Sequence, residues 1–478
     1  MSNCDLLFGL SIYAEPTKSK IIEYSCSAMD ELSKIGIAGN PLWQLKTNDS
    51  YETLNYIEYL RQFVLTEASR DVAHIKMSPI SIVELLMDVN QWSSAFYNIV
   101  SKATNVGTLL GGEGSYNDKL HVMNAELHLP TTFVHTRECY FGRYSKQLSH
   151  NTWGVVDVSL EKFIPSSTSN ILKRPSGCLI TEISNGYSEV VWVEHVELDE
   201  FQLRFPSIQA FGATRWLNSL VRYSEWSQTL KPSIFESDKG AESGRASLMK
   251  LADRMMKMFC ANVSNTVSNP WMKIDGYTGC TDVRVMMKNN KELTMNLHAT
   301  TVVFTTSLWL DVSPNQLFDF LRHEDSRTKW DVLSHRLTIR EFASMIKGEN
   351  LGNRVSLMRA TTSQGKLEIF YLQESYTDST GSYVIYAPLD EGTLSSLSKG
   401  SDPDKVIILP SGFSILPGPL PGKEDGATAS FLTVAFHIVD GASTRPFISS
   451  QSIKAIYKII TDAVASIKNT VVYHSSQG

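Results

Sequence analysis

The sequence predicts an α+β protein made of two copies of one unit, each a curved antiparallel sheet closing on a long C-terminal helix. Three observations carry this. Strand-like runs rich in aromatic and β-branched residues follow one another across short turns between residues 121 and 197, as antiparallel pairing requires. Each half ends in a long helical pattern with one apolar face. Four segments of the first half recur in the same order in the second.

Taken in order, Ile22, Cys26, Met29, Leu32 and Ile35 fall at helical spacing, and Gly36 and Gly39 follow as stop signals. After a polar loop, Ser78-Pro79 starts a second helix over about 81–95, with Ile82, Leu85, Leu86 and Val89 on one face. A Gly-rich turn at 111–114 leads into strands at about 121–129, 137–147, 153–160, 177–183 and 189–197. A helix over about 207–230 closes the half, carrying Phe211, Thr214, Leu217 and Val221.

Residues 231–244 mix Pro, Ser, Asp, Lys and Gly without periodicity and read as a linker. A helix over about 245–261 opens the second half. There Val312-Ser313-Pro314 echoes Met77-Ser78-Pro79, and Trp330 echoes Trp92. The runs 367–374 and 382–389 echo 137–144 and 152–160, and Leu409-Pro410-Ser411-Gly412 echoes Arg174-Pro175-Ser176-Gly177. The final helix, about 449–470, matches the closing helix of the first half. The domain layout expected is therefore a tail at 1–19, a first domain at 20–230, the linker, and a second domain at 245–478.

Composition limits the function. With 42% hydrophobic and 20% charged residues, the chain is a folded one, outside the disordered, collagenous and disulfide-stapled classes. A net charge of −6 without clustered Lys and Arg argues against gripping nucleic acid directly. Six scattered cysteines suit reduced thiols in the cytosol or nucleus. The longest uncharged stretch, 293–310, alternates and is Thr-rich, so strands are expected there and no membrane span.

No catalytic or metal-binding pattern is present: the loop at 107–114 lacks the Lys-Ser/Thr of a phosphate loop, and HExxH, GxSxG and EF-hand motifs are absent. No cofactor and no enzymatic activity are expected. His195 reads as a strand histidine rather than an acid–base group. Alternation puts Arg137, Cys139, Phe141, Arg143 and Ser145 on one strand face. If that face is inward, Arg143 needs a carboxylate or a ligand headgroup, and Glu126 on the preceding strand is the candidate partner. The alternative is an Arg on an exposed face; both readings stand at this level.

Several segments carry a family resemblance. Met87-Asp88-Val89-Asn90-Gln91-Trp92, Arg137-Glu138-Cys139-Tyr140-Phe141 with Arg143-Tyr144, Trp153-Gly154-Val155-Val156-Asp157-Val158, Arg174-Pro175-Ser176-Gly177, Val191-Trp192-Val193-Glu194-His195 and Phe211-Gly212-Ala213-Thr214-Arg215-Trp216 resemble the START domain of plant class IV homeodomain-leucine zipper transcription factors. Asp282-Val283-Arg284-Val285-Met286, Phe318-Asp319-Phe320-Leu321-Arg322 and Leu409-Pro410-Ser411-Gly412-Phe413 resemble the START-associated domain that follows it. The resemblance implies tandem helix-grip folds and a lipid sensor whose ligand is a sterol, phospholipid or sphingolipid. Its implied tunnel residues are Glu126, Arg143, Phe141 and Trp192, with protein partners or a dimer, and a nuclear location, or otherwise a cytoplasmic one. In the second copy Leu372 or Gln373 matches Arg143, so a second charged pocket is not expected. Neither a homeodomain nor a zipper precedes Lys20 in these residues, so DNA binding by that route is not expected. The alternative is an interaction scaffold with filled cores.

Overall fold

The computed structural model describes residues 9, 11–39, 42–45, 52–54, 67–112, 114–163, 171–198, 210–231, 239–274, 282–289, 300–363, 367–419, 428–440 and 450–475. The chain divides into two compact units, Met1–Leu129 with Thr136–Glu225, and Pro130–His135 with Trp226–Gly478.

In the first unit, helix α1 (Thr17–Ile37) precedes strands β1 (Trp43–Leu45), β2 (Glu52–Leu54) and β3 (Glu67–Ile75). Helices α2 (Pro79–Met87) and α3 (Val89–Ala95) come next, where sequence periodicity predicts one helix. They are divided at Asp88, whose extended backbone and carboxylate, accepting from Asn90 and Gln91 N–H, cap the start of α3. Strands β4 (Val100–Leu110), β5 (Lys119–Leu127), β6 (Arg137–Ser149), β7 (Thr152–Ser159), β8 (Ile171–Lys173), β9 (Ser176–Ser184) and β10 (Tyr187–Leu198) follow, and α4 (Ala213–Thr229) closes the unit. The sheet order is β1-β2-β3-β10-β9-β7-β6-β5-β4, with β8 pairing β10, every pair antiparallel.

Sequence reading places five of the six strands of 119–198, all but β8, and does not place β3 or β4. Both are rich in charged and polar residues, such as Arg70, Asp71, Lys102 and Asn105, and are drawn into the sheet by their partners β10 and β5 rather than by their own propensity. Gly107, read as part of a loop, lies within β4.

The second unit repeats this order. Helix α5 (Lys239–Val263) is followed by β11 (Met272–Lys273), β12 (Arg284–Asn289) and β13 (Thr300–Leu310). Helices α6 (Pro314–Arg322) and α7 (Glu324–Trp330) precede β14 (Leu337–Ile346), β15 (Arg354–Thr362), β16 (Glu368–Asp378) and β17 (Gly381–Leu389). Helix α8 (Glu391–Ser398), β18 (Ser411–Pro419), β19 (Thr428–Asp440) and the closing helix α9 (Ser450–Ser475) complete it. The sheet order β11-β12-β13-β19-β18-β17-β16-β15-β14 matches the first from β3/β13 onward. Helix α5 starts ahead of the predicted residue 245. Its first turns contain Gly240, Ser243 and Gly244, which read as linker; a Cβ on Gly244 would stand 2.1 Å from the Ser398 carbonyl oxygen of α8, so the Gly is there for close approach.

Strand parity sorts each sheet into two faces. In the first unit Leu120, Val122, Tyr144, Val156, Val158 and Val193 form one face, buried against Ile21, Ala28, Met29 and Leu32 of α1. The other face, with Phe141, Arg143 and Trp192, meets α3 and α4. In the second unit, Val384, Tyr386, Phe413, Ile415 and Val434 are buried with Leu317, Trp330, Ile460 and Ile467 of α6, α7 and α9. Among the described residues no helix is long and apolar enough to cross a membrane.

Candidate ligand-binding site

The helix-facing side of the first sheet carries a row of polar residues set by register. His121 on β5 lies opposite Arg143 on β6, Arg143 opposite Asp157 on β7, Asp157 opposite Ser176 on β9, and Glu194 on β10 opposite Ser69 on β3. Because cross-strand neighbours stand within side-chain reach, the row assembles charges from segments distant in sequence.

Arg143 is 3% exposed. Its Nε and Nη2 donate to the two Asp157 carboxylate oxygens at 2.7 and 2.8 Å, and Nη1 donates to the Leu86 carbonyl at 2.6 Å. The guanidinium lies 4.1 Å from the centre of the Trp92 ring, a cation–π arrangement. Lys173, on β8, donates from Nζ to both Glu194 oxygens at 3.0 and 3.1 Å, with Asp157 at 3.9 Å. Burial alone would deprotonate Lys173, but Glu194 and Asp157 outweigh it and raise its pKa. Glu194 also accepts from the Trp192 indole at 3.1 Å. Two buried cations and two buried carboxylates thus balance, the condition under which charges survive out of water.

An aromatic wall surrounds this cluster. Trp92 from α3, Trp216 from α4 and Trp192 from β10 stack with Trp216 in the middle, centroids 6.0 and 5.8 Å apart and planes within 7°. Phe96 and Phe141 pack against it, and Lys173 Nζ sits 5.0 Å from the Trp216 ring centre. Helix α4 is held over the sheet by Asn98, whose Oδ1 accepts from Ser219 and Arg222 and whose carbonyl accepts from Arg215. Ser69, at the end of the polar row, accepts from the Ala213 N–H and so caps the start of α4.

Of the four expected tunnel residues, Arg143, Phe141 and Trp192 come together here, and Glu126 does not. Since His121 opposite Arg143 faces the helices, Glu126 at even spacing from Leu120 and Val122 faces the other way. Its carboxylate accepts from Ser101 Oγ at 2.7 Å. The expected Glu126–Arg143 pair is therefore replaced by Asp157–Arg143. Asp157, Lys173 and Glu194 were missed, though a visible sign existed: Asp157 is a lone acid between valines, on the same strand face as Val155. His195 is buried, and burial first, then Arg174, pushes its pKa down to about 4, so it is neutral near pH 7. His121 and His128 are lowered to about 4 as well, again mainly by burial.

The first unit is a helix-grip fold of the START class, with a buried, aromatic-walled polar cluster under its closing helix. Residues 23–220 match the START domain model, and residues 241–472 match the model of the PDF2-like C-terminal domain. The chain belongs to the plant class IV homeodomain-leucine zipper family. It is 36% identical over 482 residues to homeobox-leucine zipper protein HDG3 of Arabidopsis thaliana, covering 95% of this chain and 65% of that protein. It is 35% identical to ANTHOCYANINLESS 2 of the same plant (94% and 60%), and 33% identical to ROC8 of Oryza sativa subsp. japonica (93% and 69%). The chain spans about two-thirds or less of the length of these first two relatives. Among solved structures, the human StarD13 lipid transfer and protein localization domain matches at 13% identity and a TM-score of 0.30, covering 42% of this chain and 95% of that one.

Proposed function

We propose that the first unit is a lipid-binding regulatory module of a transcription regulator, its ligand a sterol, phospholipid or sphingolipid held between the sheet and α4. The observation that supports this is the Arg143–Asp157–Lys173–Glu194 cluster inside an aromatic wall. It offers hydrogen-bonding groups at one spot in otherwise apolar surroundings, which is how a greasy ligand is oriented. Because the cluster is neutral as a whole, it suits an uncharged or zwitterionic headgroup better than a net anion, which would be buried without a counter-charge. Ligand would stabilise the unit by mass action and alter contacts with protein partners or a second copy. We read the role as sensing rather than turnover, since the charges described on this face pair with one another. A nuclear location accords with the family. The acidic net charge favours a ligand-binding task for these residues over direct contact with DNA.

One observation favours a second reading, an interaction scaffold without ligand: all four charges of the cluster are balanced by one another. Native mass spectrometry of the purified chain, with extraction of bound material, separates the two. A stoichiometric lipid adduct that weakens in the volume-conserving double variant Arg143→Met/Asp157→Leu is the expected result. A clean protein mass, with no uptake from a lipid mixture, would leave the scaffold.

A further inference from the structure

The registers of the two sheets give Arg143, Asp157 and Glu194 of the first unit counterparts in the second. Ser176 pairs with Asp157 and Ser411 with Tyr386; Asp157 pairs with Arg143 and Tyr386 with Gln373. Gln373 is thus the match of Arg143, Tyr386 of Asp157, and, counting along the same strands, Phe436 of Glu194. The network of the first unit is erased, yet a buried cation is still present, supplied by a helix.

That cation is Arg327 of α7, 1% exposed. Its guanidinium lies 3.9 Å from the centre of the Tyr386 ring, 4.7 Å from Tyr371 and 5.1 Å from Trp330. Nη1 donates to Gln373 Oε1 at 3.2 Å. Asp331 Oδ2 stands 3.4 Å from Nε, but it accepts its hydrogen bond from Ser334 Oγ at 2.7 Å. Three buried donors, Nε and Nη2 of Arg327 and Nε1 of Trp330, have no hydrogen-bond acceptor among the described residues. A buried N–H without an acceptor opposes folding, most of all on a charged group, so such donors call for an oxygen. The same buried cluster supplies apolar walls, including Val384, Phe413 and Ile460.

We propose that the second unit holds a ligand site of its own between α7 and its sheet, for an apolar molecule whose carboxylate or hydroxyl oxygen accepts hydrogen bonds from Arg327, with Trp330 Nε1 as a second donor. This site is separate from the function assigned to the first unit and does not depend on it. The test uses the full chain, native mass spectrometry and three probes of equal chain length: oleic acid, oleyl alcohol and octadecene. One equivalent of probe should be lost, or its affinity weakened about tenfold or more, in Arg327→Gln and in Trp330→Phe. The same equivalent should be retained in Arg143→Met/Asp157→Leu. Trp330→Phe keeps the ring, so it carries the test where Arg327→Gln fails to fold. Preference for the acid identifies a carboxylate ligand, and equal binding of acid and alcohol identifies a neutral oxygen. Octadecene binding as tightly as both, unchanged binding in the two variants, or no uptake by the wild-type chain overturns the proposal.

Discussion

Arg143 illustrates how far a single side chain depends on its partner. Asp157→Asn would leave a guanidinium 3% exposed with no counter-charge on two of its nitrogens. We expect it to destabilise the first unit by about 3–5 kcal/mol, while Arg143→Met/Asp157→Leu stays within about 1 kcal/mol of wild type or gains stability. Urea unfolding followed by tryptophan emission measures both, and equal losses in the two variants would argue that the pair is not coupled. At this scale the sequence was only half legible. The alternation of β6 identified the face on which Arg143 lies, but taking its partner from the preceding strand pointed to Glu126. Parity and register decide, and they brought Asp157 from the following strand. Lys173 could not have been anticipated in this way: it sits on a three-residue strand whose pairing with β10 no local pattern announces.

Two glycines at matching places show what holds the sheets in register. Gly177 on β9 has φ +137° and Gly412 on β18 has φ +154°; a Cβ would stand 2.1 Å from Val155 O in the first and 2.3 Å from Val384 O in the second. Gly177→Ala and Gly412→Ala should each cost about 2 kcal/mol or more, each in its own unit, because the strand must move away from its neighbour. Separate thermal transitions for the two units would display this, and a loss in the wrong unit would contradict it. The Arg-Pro-Ser-Gly and Leu-Pro-Ser-Gly echo was thus a backbone requirement visible in the sequence. Paired starts such as Ser78-Pro79 and Ser313-Pro314 were visible for the same kind of reason, since each serine caps its helix. Strands β3 and β4 were not, because their place in the sheet is conferred by neighbours.

For the molecule as a whole, stability should depend on pH with a definite sign. His121, His128 and His195, all in the first unit, have folded pKa values pushed down to about 4, below the ordinary value of 6.5. Between those limits the unfolded chain binds more protons than the folded one, so stability rises with pH and is lost progressively as pH falls from about 6.5 toward 4. Thermal melts at about pH 7, 6 and 5 should show the first unit's midpoint falling, and His128→Gln should blunt the fall. A midpoint unchanged over that range would rule the effect out. The duplicated architecture was legible from order alone, since four echoes in sequence fixed the count of units. Arg327 was not, because a strand position was compared with a strand position and the charge had moved to α7.

The stack of Trp92, Trp216 and Trp192 joins a short helix, the closing helix and a strand through three nearly parallel indoles. Chromophores held this close and this parallel exchange excitation. The first unit therefore contains its own optical gauge: a coupled circular-dichroism band in the far ultraviolet that persists only while α4 lies on the sheet. Anything that slides between helix and strands, or lifts α4 away, would be recorded by these rings without a label.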